Sequence, residues 1–249
     1  MDAIILAAGR GSRLGELTVN LPKPLTLLAG KPLLEWQLSA LQHAKVEAVH
    51  IVTGYNSSTL VEYGDYRIYN PVWSHSNMVR SLLQADEILS QKPVLVCYGD
   101  IVYQPEIILK LMACNADIAI SFDREWLKLW SERFNDPFSD AESFECANGL
   151  LKSIGKRVRD VGKIQGQYMG LLKFTPIGWS NVKKYLNTLS ATDVNKLDMT
   201  TLLSNLLEKG IGIKTIAIDG GWVEVDNPED ITLYESKIKT NNWLHDWRW

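Results

Sequence analysis

Cysteine is scarce: the 249-residue chain has three, Cys97, Cys114 and Cys146. An odd, widely spaced set argues against a disulfide framework, and none has metal-ligand spacing. They read as free thiols in a reducing compartment. Charge bias is also missing. Lys and Arg number 26 against 29 Asp and Glu, a net charge of −3, so there is no basic footprint for nucleic acid. No apolar run approaches the roughly 20 residues of a membrane span, and residues 1–8 are too short for a signal h-region. A cytoplasmic protein with no membrane partner is expected. Both familiar phosphate loops are lacking as well. Gly-x-x-x-x-Gly-Lys-Ser/Thr occurs nowhere, and Leu14 stands where a dinucleotide fingerprint needs its third glycine.

What is present is a hydrophobic fraction of 46%, enough for a full core. Strand-like and helix-like runs alternate. Strands are expected at 2–8, 49–53, 66–70, 94–98 and 117–121, with helices at 32–44, 77–90 and 105–113. Beyond Phe122 the pattern loosens. Strands at 150–154, 167–174 and 212–218 are read there, with helices at 176–189 and 199–208. A last helix opens at Asn227-Pro228, an N-cap followed by proline at the first helical position. The alternation predicts an α/β domain with a doubly wound, mostly parallel sheet. The reading is one domain: a nucleotide half at 1–121, an acceptor half at 122–226, and a C-terminal helix with a tryptophan-rich tail at 227–249.

The N-terminus carries the chemistry. Ala3-Ile4-Ile5-Leu6-Ala7-Ala8 runs into Gly9-Arg10-Gly11-Ser12-Arg13-Leu14. Glycines let backbone N–H groups approach phosphates closely, and Arg13 and Lys23 add positive charge. Pro22-Lys23-Pro24-Leu25 and Gly30-Lys31-Pro32-Leu33-Leu34-Glu35 follow. In that order, the three motifs resemble the nucleotidyltransferases that join an NTP to a phosphorylated small molecule. Sugar-1-phosphate nucleotidylyltransferases are members. The likeness is nearer to CTP:phosphocholine and phosphonate cytidylyltransferases, because Asn77-Met78-Val79-Arg80-Ser81-Leu82 has their N-x-x-S-L pattern.

The resemblance implies a Rossmann-like fold, Mg²⁺ as cofactor, and CTP plus a small phosphorylated acceptor as substrates. It implies nucleotide contacts from Leu6, Ala7, Ala8, Gly9, Gly11, Ser12, Arg13, Lys23, Asn77, Ser81 and Gly99. Lys23 matches the catalytic lysine at the α-phosphate, and Arg13 the residue at the β,γ-phosphates. Asp100, after an apolar strand and Gly99, matches one metal ligand. Asp226, within Glu224-Val225-Asp226-Asn227-Pro228-Glu229-Asp230, matches the second. Glu224 has the parity to join them. Two carboxylates suit a hard cation. An Asn amide offers a donor and an acceptor to a pyrimidine edge, although Ser76 or Asn77 also reads as a plain helix cap. No general base is needed, since a phosphate oxygen is already ionised.

For the acceptor, Trp126, Trp130, Tyr168 and Trp222 read as an aromatic wall for a cationic amine, with Asp140 or Glu142 supplying negative charge. Arg133 and Lys156 read as phosphate or carboxylate contacts. The competing reading puts the aromatics in the core and the acids in water. The tail, Trp243 to Trp249, has three tryptophans in seven residues. It is expected to pack back on the domain, with a homodimer contact as the alternative. A uridylyl- or thymidylyltransferase acting on a sugar 1-phosphate remains the rival enzyme. A regulatory subunit is disfavoured by the presence of Lys23, Asp100 and Asp226, and a dinucleotide oxidoreductase by Leu14.

Overall fold

The first strand, Asp2–Ala7, is apolar on both sides because both sides are covered. Ala3 and Ile5 enter one core cluster and Ile4 enters the other. That is the pattern of a buried parallel strand between helical layers. The computed structural model describes residues 1–240 and 242–249. A nine-stranded sheet forms its centre, in the order Tyr66–Tyr69, Val49–Thr53, Asp2–Ala7, Val94–Tyr98, Gln167–Phe174, Ile118–Asp123, Lys214–Ile218, Leu150–Arg157 and Glu142–Ala147.

The two ends of this sheet differ. The four strands from Tyr66–Tyr69 to Val94–Tyr98 are parallel to one another. Gln167–Phe174 then runs antiparallel to both its neighbours. Only Lys214–Ile218 with Ile118–Asp123 restores parallel pairing, and the outer two strands form an antiparallel hairpin. The sheet is therefore parallel in the nucleotide half and mixed in the acceptor half. Ile118–Asp123, placed with the first half in sequence, lies beyond Gln167–Phe174 in space.

The element expectations from 2 to 121 hold except at 77–90. There the chain makes two helices, Met78–Leu83 and Asp86–Gln91. Asp86 is tied at the start of the second, accepting from the indole of Trp179 at 2.7 Å and from Lys183. Sequence reading missed the helix Trp126–Arg133 and the strand Glu142–Ala147. The strand had a signal. Asn148 (φ 55°) and Gly149 (φ 70°) both adopt the left-handed turn that joins it to Leu150–Arg157, and Asn-Gly is a strong two-residue hairpin sequence. At the last helix, Asn227 caps Pro228–Lys237, and Asp230 completes a capping box.

The tail folds back. Trp247 is fully buried against Trp36 and Tyr234. Buried His245 meets Asp123 at 2.8 Å, and the Trp243 indole donates to Glu132. Among the described residues no helix is long and apolar enough to cross a membrane.

Candidate active site

The carboxyl ends of Asp2–Ala7 and Val94–Tyr98 open into a cleft of about 240 Å³. Ligands settle at such strand ends in doubly wound sheets. Leu6, Ala7, Ala8, Gly9, Gly11 and Arg13 line the cleft. Lys23, Gly99, Asp100, Asn77 and Ser81 also line it. Two of the glycines are sterically required. A Cβ on Gly11 (φ 73°) would come within 2.6 Å of the Lys23 side chain. A Cβ on Gly99 would come within 2.6 Å of the Leu6 carbonyl oxygen. The Lys23 side chain thus packs directly over Gly11 as it borders the cleft.

Lys23 is 8% exposed, and its Nζ donates to Asp100 Oδ2 at 2.8 Å and to Asp226 Oδ1 at 2.7 Å. Burial works against its charge. The two carboxylates more than compensate and hold the ammonium above the usual lysine range. Burial also opposes ionisation of Asp226, but Lys23, Arg13 and Arg133 bring its carboxyl below the ordinary value. Arg13 reaches the same oxygen, Nη2 to Oδ1 at 2.8 Å, from an exposed position. Three sequence-distant groups, Lys23, Asp100 and Asp226, are therefore one cluster, and the first two line the cleft.

Glu224 does not join that cluster. Its carboxylate takes Nη1 of Arg133 at 2.6 Å. Burial pushes its pKa up to about 7, against the Arg133 charge and with help from Asp226 and Asp100. Among the described residues no group of three His, Cys, Asp or Glu gathers as a metal cage. The Asp100–Asp226 pair nonetheless suits a hard cation. Its donors are oxygen throughout, and Asp100 Oδ1 is buried with no hydrogen-bond partner.

Ser12 is exposed and is absent from the residues lining the cleft, although Arg13, next to it in the short helix Ser12–Thr18, is among them. Asn77 combines two expectations. It borders the cleft, and its side-chain oxygen caps the next helix at Met78 N (2.8 Å). Sequence reading missed Asn70. Fully buried, it donates to Ser76 Oγ at 3.1 Å and Ser81 Oγ at 3.0 Å, two serines that line the cleft. Its position just past the carboxyl end of Tyr66–Tyr69 was an available signal.

The acceptor expectations need correction. Trp126, Trp130 and Trp222 are 3%, 2% and 0% exposed and belong to the core, not to a ligand wall. Their indole N–H groups go to Ile164 O, Asp140 and Asp123. Burying an indole in full removes more apolar surface from water than a ligand wall would. The Arg133 side chain is wholly buried and cannot touch an acceptor. Lys156 is exposed, and its backbone N–H donates to Ser143 Oγ. Tyr168 and Glu142 are differently placed. The Tyr168 ring meets Tyr98, a cleft residue, edge-on at 5.8 Å, and its hydroxyl is buried without a partner. Glu142 is half-buried. Burial raises its pKa, against a hydrogen bond from Thr200.

Comparison with known proteins agrees with this geometry. The model of the MobA-like NTP transferase domain matches residues 3–159. A CTP:phosphoglutamine cytidylyltransferase of Campylobacter jejuni is 32% identical, over 95% of this chain and 100% of its own length. A 2-aminoethylphosphonate cytidylyltransferase of Lancefieldella rimae is 33% identical over 42% of this chain and 45% of its own. In fold, an inositol-1-phosphate CTP transferase from T. maritima superposes with a TM-score of 0.73 at 20% identity, covering 96% of each chain.

Proposed function

The chain belongs to the family of MobA-like NTP transferase domains, and on that premise we propose that it transfers a cytidylyl group from CTP to a small phosphorylated amine or phosphonate, with release of pyrophosphate. The observation that carries the reading is the convergence of Lys23, Arg13, Asp100 and Asp226 beside a glycine turn at the strand ends. The full-length likeness to a cytidylyltransferase supports the choice of base.

In this reading a phosphate oxygen of the acceptor bonds to the α-phosphorus of CTP while the bond to the bridging oxygen breaks. Both partners are anionic, so approach needs cationic screening. Lys23 is held charged and in place before substrate arrives, as electrostatic preorganisation requires. Arg13, 68% exposed at its side chain, has the freedom to leave Asp226 for the departing phosphates. Asp100 and Asp226 would hold Mg²⁺, which when bound neutralises phosphate charge. Asn77, which borders the cleft while its oxygen caps Met78 N, is the residue this reading sets beside the cytosine edge.

The acceptor's ammonium belongs, in the same reading, beside Tyr168, Glu142 and Asp198. Burial keeps the Tyr98 phenol protonated, and Asp100, Asp198 and Glu142 act on it in the same sense. Asp198 and Glu142, the two acids of the acceptor half, are the negative charges that this reading assigns to the ammonium. Asp198 also caps the helix Met199–Glu208.

The test is pyrophosphate release from CTP, UTP, dTTP and ATP against phosphorylated amines, aminoalkylphosphonates and sugar 1-phosphates. CTP with a phosphorylated amine or phosphonate is expected to give kcat/KM at least about tenfold above any other pair, about 1.4 kcal/mol. Preference for UTP or dTTP with a sugar 1-phosphate overturns the reading in favour of the rival enzyme.

A further inference from the structure

Arg133 ends the helix Trp126–Arg133, and its side chain has no exposed surface. Every nitrogen of its guanidinium faces an acid of the Glu224–Asp230 segment. Nε donates to Asp230 Oδ1 at 2.9 Å and Nη2 to Asp230 Oδ2 at 3.1 Å, the two-pronged geometry that suits arginine. Nη1 donates to Glu224 Oε1 at 2.6 Å. Nη2 also lies 3.7 Å from Asp226 Oδ2. Trp130 and Phe134 seat the group, with ring centroids 5.2 Å and 4.9 Å from Cζ.

Asp230 passes this constraint on. Its Oδ2 accepts from the backbone N–H of Asp226 at 2.8 Å and of Asn227 at 3.1 Å. The arginine therefore grips the carboxylate that fixes the backbone of Asp226. Asp226 in turn presents Oδ1 to Lys23 and Arg13 on its other side. We propose that Arg133 is a positioning residue for nucleotidyl transfer: through Asp230 and Glu224 it sets the orientation of Asp226 toward Lys23 and toward the cation that Asp226 and Asp100 would bind. The inference rests on the function proposed above.

A surface salt bridge contributes little, but a buried bidentate pair is not interchangeable with a lysine. Residues that orient a metal-binding group from behind typically cost about 10- to 100-fold in metal affinity or activity when altered. Arg133→Lys keeps the buried charge and removes the fork. It is expected to lower kcat about 10- to 100-fold with KM for CTP within about twofold. Mg²⁺ titrated into the protein alone, followed by calorimetry, is expected to bind several-fold more weakly than to wild type. Asp230→Asn, which leaves Arg133 paired with Glu224, is expected to show the same two changes, and it decides the matter if Arg133→Lys does not fold. A lowered melting temperature with wild-type kcat, KM and Mg²⁺ affinity in the folded variants overturns the proposal and leaves Arg133 as a core ion pair. Absence of nucleotidyl transfer by wild type fails the proposed function instead, and the Mg²⁺ titrations still separate the two outcomes for Arg133.

Discussion

The two halves of the sheet build their share of the site by different means. The nucleotide half uses backbone. A strand end, the sterically obligatory Gly11, and Lys23 line the cleft within about two dozen consecutive residues, and a second strand end brings Gly99 against Leu6. The acceptor half uses side chains from distant elements. Arg133, Glu224 and Asp230 meet across 91 and 97 positions, and Asp123 takes Trp222 and His245 across 99 and 122. Backbone recognition demands residues with particular φ and no Cβ, and those leave a mark in sequence. Side-chain networks demand only that topology bring partners together.

That contrast makes the aromatics of the acceptor half structural. Trp126→Ala is expected to cost about 3–5 kcal/mol of stability, the range for truncating a buried aromatic. Denaturant unfolding measures this, and KM for the acceptor in the remaining folded enzyme is expected to stay within about twofold. A large rise in acceptor KM with little loss of stability would return Trp126 to the ligand wall and blur the division between the halves.

Asp100 sits on the nucleotide side of the seam and Asp226 on the other, joined through one ammonium. Asp100→Asn is expected to lower kcat about 10²- to 10³-fold, roughly 3–4 kcal/mol, the scale of losing one preorganised electrostatic group. The circular dichroism spectrum is expected to be unchanged. Near-normal pyrophosphate release from this variant would remove Asp100 from the reaction.

A smaller effect tests the backbone argument directly. Gly11→Ala places a methyl against the Lys23 side chain at a left-handed φ. The conformational strain alone is about 1–2 kcal/mol. That strain is expected to lower the melting temperature, and displacement of Lys23 to lower kcat in addition. Equal kcat with lowered stability would show that the turn only accommodates the lysine and does not aim it.

How far the sequence reached follows from the same contrast. The parallel strands and the glycine turn were legible from residue pattern. Lys23, Asp100 and Asp226 were legible only through the resemblance of their motifs to the nucleotidyltransferases, because an acid just past a strand end reads equally well as a turn residue. Arg133 was seen as a site residue but in the wrong place. Nothing local distinguishes an exposed arginine on a charged, tryptophan-rich stretch from a buried one whose acids lie some ninety residues on. The tryptophans misled for a related reason: a core aromatic and a ligand-wall aromatic have the same composition. The strand Glu142–Ala147 was missed although Asn148-Gly149 marks its hairpin, and the antiparallel insertion of Gln167–Phe174 had no local mark. Asn70 was overlooked because a buried amide that holds two serines looks like any turn residue.

The smallest expected effect concerns Cys97, in the strand that delivers Gly99 and Asp100 to the cleft. Burial pushes its thiol up to about 12, against a weaker hydrogen bond involving Tyr103. Cys114 and Cys146 are half-buried. Since the thiolate is the reactive form, a maleimide at pH 8 is expected to label Cys114 and Cys146 in the native protein and Cys97 only after unfolding. The sign of the linked pH effect follows. The unfolded thiol releases its proton near its ordinary value of 9.0, whereas the folded one retains it toward 12. Above pH 9 the unfolded state therefore binds fewer protons, and stability falls as pH rises. The contribution is complete below pH 9 and diminishes between 9 and 12. Buried Tyr103 titrates high as well, so the measurement is the difference between wild type and Cys97→Ala in denaturant midpoint from pH 8 to 10. The wild-type curve is expected to fall more steeply. Parallel curves, or rapid labelling of Cys97 in the native state, would show that the central strand opens readily, and the rigid backbone attributed to the nucleotide half would then be lost.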